Sequence, residues 1–145
     1  MSDAHEQIRN LLGRYCELMD AGQFAGLAEL FAHATLADEH GSVFATGATE
    51  MRVMWERQTV LYDGSPRTRH VTANPVIDVD ETGGIAEVSS SYVVFQGTET
   101  LPLQPIVSGR YYDVFARDDS GRWRFAQRRY AVDHVNDLSH HLRPM

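Results

Sequence analysis

The chain has 145 residues, 43% hydrophobic and 10% aromatic, and a formal net charge of -7. That length suits one domain over residues 1–145, the composition supports a packed core, and the acidic balance argues against nucleic acid or an anionic membrane as partner, since both need a basic face. All 13 basic residues are arginine, so Schiff-base aldolases, a covalent pyridoxal-phosphate link and a phosphate-binding-loop lysine are excluded. Cys16 is the one cysteine, which leaves no intrachain disulfide and no multi-cysteine zinc site. The apolar runs are too short to span a bilayer and no leader precedes the first helix, so the expected location is the cytoplasm.

Asp3 followed by Glu6 reads as a capping box, and Ile8, Leu11, Leu12, Tyr15, Cys16 and Met19 then recur at helical spacing. That helix should end near Asp20, with Gly22 free to take the left-handed cap conformation. Phe24, Leu27, Leu30 and Phe31 form the stripe of a second, short helix. Ala34 to His40 alternates and turns at Gly41-Ser42 into Val43-Phe44-Ala45, a hairpin pattern. Gly47 or Thr49 opens a third helix, with Met51, Met54, Trp55, Gln58, Leu61 and Tyr62 on its inner side and Asp63-Gly64-Ser65-Pro66 as its stop.

From there the chain reads as strand: Arg67 to Ala73, Val76 to Asp80, Ile85 to Gln96, Ile106 to Arg117 and Arg122 to Val132. Helices first and a meander of long strands last give an α+β fold, three N-terminal helices against a strongly curved, mainly antiparallel sheet. A sheet folded around helices leaves a central pocket, the kind of space that holds a small ligand.

Period-two alternation puts Thr68, His70 and Thr72 on one strand face. A strand histidine is ordinarily a satisfied structural residue. Asp20 at a helix C-terminus faces the negative end of the helix dipole, and a residue kept at an electrostatic cost points to function. Tyr15 lies about 140° around the helix from Asp20, so the two share a space only if Asp20 is already leaving the helix.

Arg14-Tyr15-Cys16-Glu17-Leu18-Met19-Asp20-Ala21-Gly22, the Phe24 to Phe31 helix and His70-Val71-Thr72-Ala73-Asn74-Pro75 resemble the nuclear-transport-factor-2-like superfamily (NTF2-like), in its SnoaL-like and scytalone-dehydratase-like branch. Gly109-Arg110-Tyr111-Tyr112-Asp113 and Gly121-Arg122-Trp123-Arg124-Phe125 extend the resemblance along nearly the whole chain. It implies a cone with a pocket at its mouth and an Asp–His pair, of the kind used by bile-acid dehydratases and lindane dehydrochlorinases, falling on Asp20 and His70. Tyr15 meets the tyrosine spacing of the dehydratases; the dehydrochlorinases have a lysine there, so their way of holding a leaving halide does not carry over. The reaction implied is a cofactor-independent β-elimination, or a proton-transfer isomerisation, of a small hydrophobic cyclic or polyketide-like substrate. His70 would be its base and Tyr15 its hydrogen-bond donor.

Two alternatives stand beside it. Tyr15 and Asp38 resemble the tyrosine and basic aspartate of ketosteroid isomerases, and other members of the superfamily bind or assemble without catalysis. Further candidate pocket residues are His40, Met54, Trp55, Val88, Ser90, Tyr92, Arg110 and Arg128; for the two arginines an ion pair with Asp113 is the simpler role. Arg122, Arg124, Arg128 and Arg129 read together as a solvated face. No metal, nucleotide or organic cofactor is expected, since His140-His141 has no third ligand at metal-site spacing and no glycine-rich phosphate loop is present. Apolar surface on the long strands predicts a homo-oligomer, a trimer as in the dehydratase branch or a dimer as in the isomerase branch.

Overall fold

The computed structural model describes residues 3–144. Asp3 caps α1 (Ala4–Asp20) by accepting the Glu6 N–H at 2.8 Å. The helix buries Ala4, Ile8, Leu12, Tyr15 and Met19 as one stripe. Full burial of each large apolar side chain contributes about 1.5–3 kcal/mol, which a 17-residue helix could not obtain from propensity alone. Gly22, at φ 70, lets the chain reverse into α2 (Phe24–Leu30).

β1 (Thr35–Asp38) and β2 (Val43–Thr46) form the expected hairpin and lead into α3 (Gly47–Gln58). That helix stops before Leu61 and Tyr62, which were expected on its inner side. From Thr59 the backbone is extended, because residues 58–60 bond with the C-terminal segment: Val60 N–H donates to the His141 carbonyl and Arg143 N–H to that of Gln58. Local periodicity continues through Leu61, but this non-local pairing decides the backbone.

Four long strands follow: β3 (Thr68–Asp80), β4 (Ile85–Gln96), β5 (Gln104–Arg117) and β6 (Trp123–Val135). The sheet order is β2-β1-β6-β5-β4-β3, with β1 parallel to β6 and the other neighbours antiparallel. Asn74-Pro75, read as a break between two strands, is a bulge within one. Asn74 takes φ 54 and the register shifts between Ala73 and Val76, so the strand bends and continues. Among the described residues no helix is long and apolar enough to cross a membrane.

The closed end of the cone is filled by aromatic side chains. Phe31 from the α2 end stacks on Phe125 at 4.4 Å, Phe125 meets Phe115 at 4.5 Å, and Trp55 of α3 packs edge-on against Phe31. At Gly109 of β5 there is no room for a side chain. A Cβ there would overlap the Ala131 carbonyl oxygen outright and crowd the Tyr92 ring at 2.8 Å. Gly109→Ala should therefore destabilise the protein by about 2–3 kcal/mol, as overpacking does, although its φ suits any residue. A urea midpoint within error of the unaltered protein would contradict this.

Candidate active site

The end of α1 is pinned to the edge of the sheet by one side chain. Asp20 accepts three hydrogen bonds from β3: the Thr68 hydroxyl at 2.8 Å, the His70 backbone N–H at 2.7 Å and the His70 Nδ1 at 2.6 Å. Three donors offset the unfavourable helix-end dipole, and the carboxylate caps an N–H that an edge strand would otherwise leave open. Both side chains are largely withdrawn from solvent, 6% exposed for His70 and 13% for Asp20. With Nδ1–H donated to Asp20, Nε2 is the ring nitrogen left to take a proton.

His70 lies on the wall of a cavity of about 280 Å³ between the helices and the concave face of the sheet. Of the candidate site residues, Tyr15, Met54, Trp55 and Tyr92 line it with His70. The Tyr15 ring stands edge-on to that of His70 with centroids 6.2 Å apart, so Tyr15 and Asp20 converge on the same histidine from different sides of α1.

The other expected pocket residues lie elsewhere. Asp38 and His40 sit at the exposed β1–β2 turn, where the Asp38 carboxylate accepts the His40 and Ser42 N–H groups at 2.9 Å each. Those backbone bonds hold the Asp38 carboxyl below its usual range and occupy it in shaping the turn. Val88 and Ser90 share the inward face of Tyr92 but lie nearer the start of β4, in the core rather than on the cavity wall. Arg110 is on the outer face of the sheet, bonded twice to Asp133 at 2.9 and 2.8 Å.

Arg128 corrects the solvated-face reading of the basic cluster, since its side chain is fully buried. It forms a two-point ion pair with Asp113 at 2.8 and 3.0 Å and lies 3.6 Å beneath the Tyr111 ring and 4.3 Å from that of Tyr15. The reason is a bulge. Val114 pairs with Gln127 and Phe115 with Phe125, so Ala126 is an extra residue that reverses which face follows. Arg128, Tyr130 and Val132 are thereby turned inward with Trp123 and Phe125.

The same reversal brings in Tyr130, and the unbroken alternation of β5 through Asp113 and Phe115 brings in Tyr111; sequence reasoning missed both. The Tyr130 hydroxyl is 3.2 Å from that of Tyr15, and Tyr111 stacks on Tyr92 at 4.3 Å. Burial raises the pKa of Tyr15, Tyr92, Tyr111 and Tyr130, that of Tyr92 to about 12, so all four keep their protons at neutral pH. Phe44, Leu138, His141 and Leu142 also line the cavity. The last three come from a C-terminal strap, residues 136–144, which crosses the mouth.

His141 is buried opposite His70, their ring centroids 6.1 Å apart. Burial first, then the neighbouring His70, lower its pKa to about 4, against a smaller opposing effect of Asp20. An unfolded histidine titrates near ~6.5, so on acidification the unfolded chain takes up this proton first. Stability should therefore fall as pH drops from ~6.5 to ~4, by roughly 2–3 kcal/mol from this group. Urea titrations at pH 7 and pH 5 should show the loss in the unaltered protein and a smaller one in His141→Gln. Equal pH slopes for the two proteins would contradict it.

A search of curated proteins finds no significant match. Among solved structures, Rv3472 of Mycobacterium tuberculosis, described as of unknown function, is 28% identical with a TM-score of 0.71 over 89% of this chain and 71% of that one. An NTF2-like protein with a cystatin-like fold from Novosphingobium aromaticivorans is 22% identical at a TM-score of 0.71, covering 88% of this chain and 80% of its own. LinA is 16% identical at 0.69, covering 94% and 90%. The last two likenesses bear on the fold, a cone of helices in a curved sheet. The sequence profile of the SnoaL-like domain matches residues 1–129, which include Tyr15, Asp20, His70 and Arg128, and the chain belongs to that family.

Proposed function

We propose that this protein is a cofactor-independent lyase that removes water by β-elimination from a small, largely hydrophobic cyclic or polyketide-like substrate. The observation that carries the reading is the 2.6 Å Asp20–His70 pair on the wall of an apolar cavity. Membership of a family that includes dehydratases and polyketide cyclases supports an enzymatic role.

In this reading Nε2 of His70 takes the proton from carbon. Asp20 fixes the tautomer and stabilises the imidazolium as it forms, the part the acid plays in a serine-protease triad. Tyr15, protonated and at the cavity wall, donates its hydroxyl to an oxygen on which charge develops. The buried guanidinium of Arg128 beneath Tyr15 favours negative charge at that end of the cavity without touching the ligand. Stopping after the first proton transfer and returning the proton to another carbon would give an isomerase with the same residues.

The test is a panel of hydroxylated cyclic ketones, halogenated cycloalkanes and steroid enones, assayed with the unaltered protein, His70→Ala and Asp38→Asn. A hydroxylated ketone should lose water with the unaltered protein and with Asp38→Asn, and not with His70→Ala. Full activity in His70→Ala together with its loss in Asp38→Asn would replace this mechanism by the isomerase type. Binding across the panel with no turnover would make the protein a ligand-binding module.

A further inference from the structure

The C-terminal strap is fixed to the body by backbone as well as side chains. Asn136 N–H donates to the Ile106 carbonyl at 2.8 Å, and Val60 N–H to the His141 carbonyl at 2.8 Å. The His140 carbonyl accepts both the Tyr62 hydroxyl at 2.6 Å and the buried Gln96 amide at 3.0 Å. The Arg143 guanidinium donates to the Thr59 carbonyl at 2.8 Å. These bonds hold residues 140–143 in one place and leave the His141 ring to enter the cavity.

His141 is 6% exposed and lines the cavity beside His70; its Nδ1 is sealed off without a hydrogen-bond partner among the described residues, which leaves Nε2 as the ring nitrogen open to a ligand. Holding an imidazole here with one nitrogen unpaired is costly, and the five bonds that fix the strap keep its open Nε2 in place for a partner. The cavity is the space from which that partner can come. Neutral imidazole offers one N–H donor and one acceptor, and a neutral donor can hold a developing enolate oxygen without surrendering its proton.

We propose that His141 is a substrate-binding residue that hydrogen-bonds the carbonyl oxygen of a cyclic β-hydroxy ketone, so that the strap selects for ligands carrying that oxygen. The proposal rests on the elimination reading above. His70 Nε2 takes the proton on the carbon next to the carbonyl, and the freed C–H electron pair becomes the enolate whose oxygen His141 holds. The enolate collapses to a carbon–carbon double bond and breaks the bond to the β-hydroxyl. That oxygen leaves as water with the proton carried by His70, and the histidine returns to its neutral form. No oxidant or reductant is involved, and Tyr15 is left for the departing oxygen.

The experiment uses 1-tetralone and tetralin, two ring systems alike except for the carbonyl, and measures their dissociation constants by NMR titration. The unaltered protein should bind 1-tetralone about tenfold more tightly than tetralin, the worth of one good hydrogen bond in a buried site. His141→Phe should lose that preference while keeping its affinity for tetralin, and His141→Gln should recover part of it. The His141 ring nitrogens of the unaltered protein should shift with 1-tetralone and not with tetralin, a readout that needs no variant to fold. An unchanged preference in His141→Phe, no preference in the unaltered protein, or a preference lost in Tyr15→Phe instead would overturn the proposal. Binding is read without turnover, so the elimination reading fails separately, through full activity in His70→Ala.

Discussion

His70→Ala should lower turnover by about 10²–10⁴-fold, the usual contribution of a general base, with little loss of fold. Asp20→Asn should fall at least as far, for a different reason. The carboxylate accepts the Thr68 hydroxyl, the His70 N–H and the His70 Nδ1 together. An amide keeps the backbone N–H, which goes to Oδ2, only by placing its oxygen there and its NH₂ at the Oδ1 position, facing Nδ1 and the Thr68 hydroxyl. That forces the proton onto Nε2, where it blocks the nitrogen that has to accept one. His70→Ala removes the base, whereas Asp20→Asn leaves it present in the wrong tautomer. Ring-nitrogen NMR of the Asn variant should show the exchanged tautomer, and near-native activity in either variant would remove the pair from the mechanism.

The largest effect on stability should come from Asp113→Ala. Its partner Arg128 is fully buried and donates two hydrogen bonds to that carboxylate. Removing one member of a buried pair leaves a charge without compensation and costs about 3–5 kcal/mol. For a domain of this size that is a fall of roughly 10–20 °C in Tm. The double variant Asp113→Leu with Arg128→Met should be milder than Asp113→Ala alone, because two apolar side chains leave no orphaned charge. Arg128 also supports the Tyr15 and Tyr111 rings, so the single variant should bind ligands less well even where it remains folded. A Tm change below about 3 °C for Asp113→Ala would show that water reaches the guanidinium.

What could be read from the sequence was local. The Asp3 cap, the stripe from Ile8 to Met19 and the break at Gly22 depend on neighbours within a turn or two, and α1 has the expected bounds. Asp20 and His70 were legible because one sits at a helix end and the other in a strand segment, Thr68 to Thr72, whose alternation is unbroken. The reading failed where a single residue changes parity. Counting by twos from Trp123 and Phe125 sends Arg128 and Tyr130 outward; the extra residue Ala126 sends them in, and no feature of Ala126 announces it. His141 was hidden for another reason. Its neighbours Leu138 and Leu142 follow no strand or helix repeat, and the segment is ordered by pairing with residues 58–62, some 80 positions earlier, and with Gln96 and Ile106.

The parallel pairing of β1 with β6 bears on how the chain is made. Thr35 lies beside Gln127, a neighbour 92 positions further along the chain. At a synthesis rate of ~5–20 residues per second that partner emerges roughly 5–20 s after β1 does. Until then α1 and β1 have no finished sheet to settle on, and Ile8, Leu12, Leu36 and Ala37, all buried in the final structure, remain open to water and to other nascent chains. The meander β3 to β6 needs only contacts between successive strands and can assemble as it leaves the ribosome, whereas the N-terminal third must wait for it. Folding is thus completed from the C-terminal side, and protecting an uncovered N-terminal segment for several seconds is a demand that the topology places on the cell's chaperones.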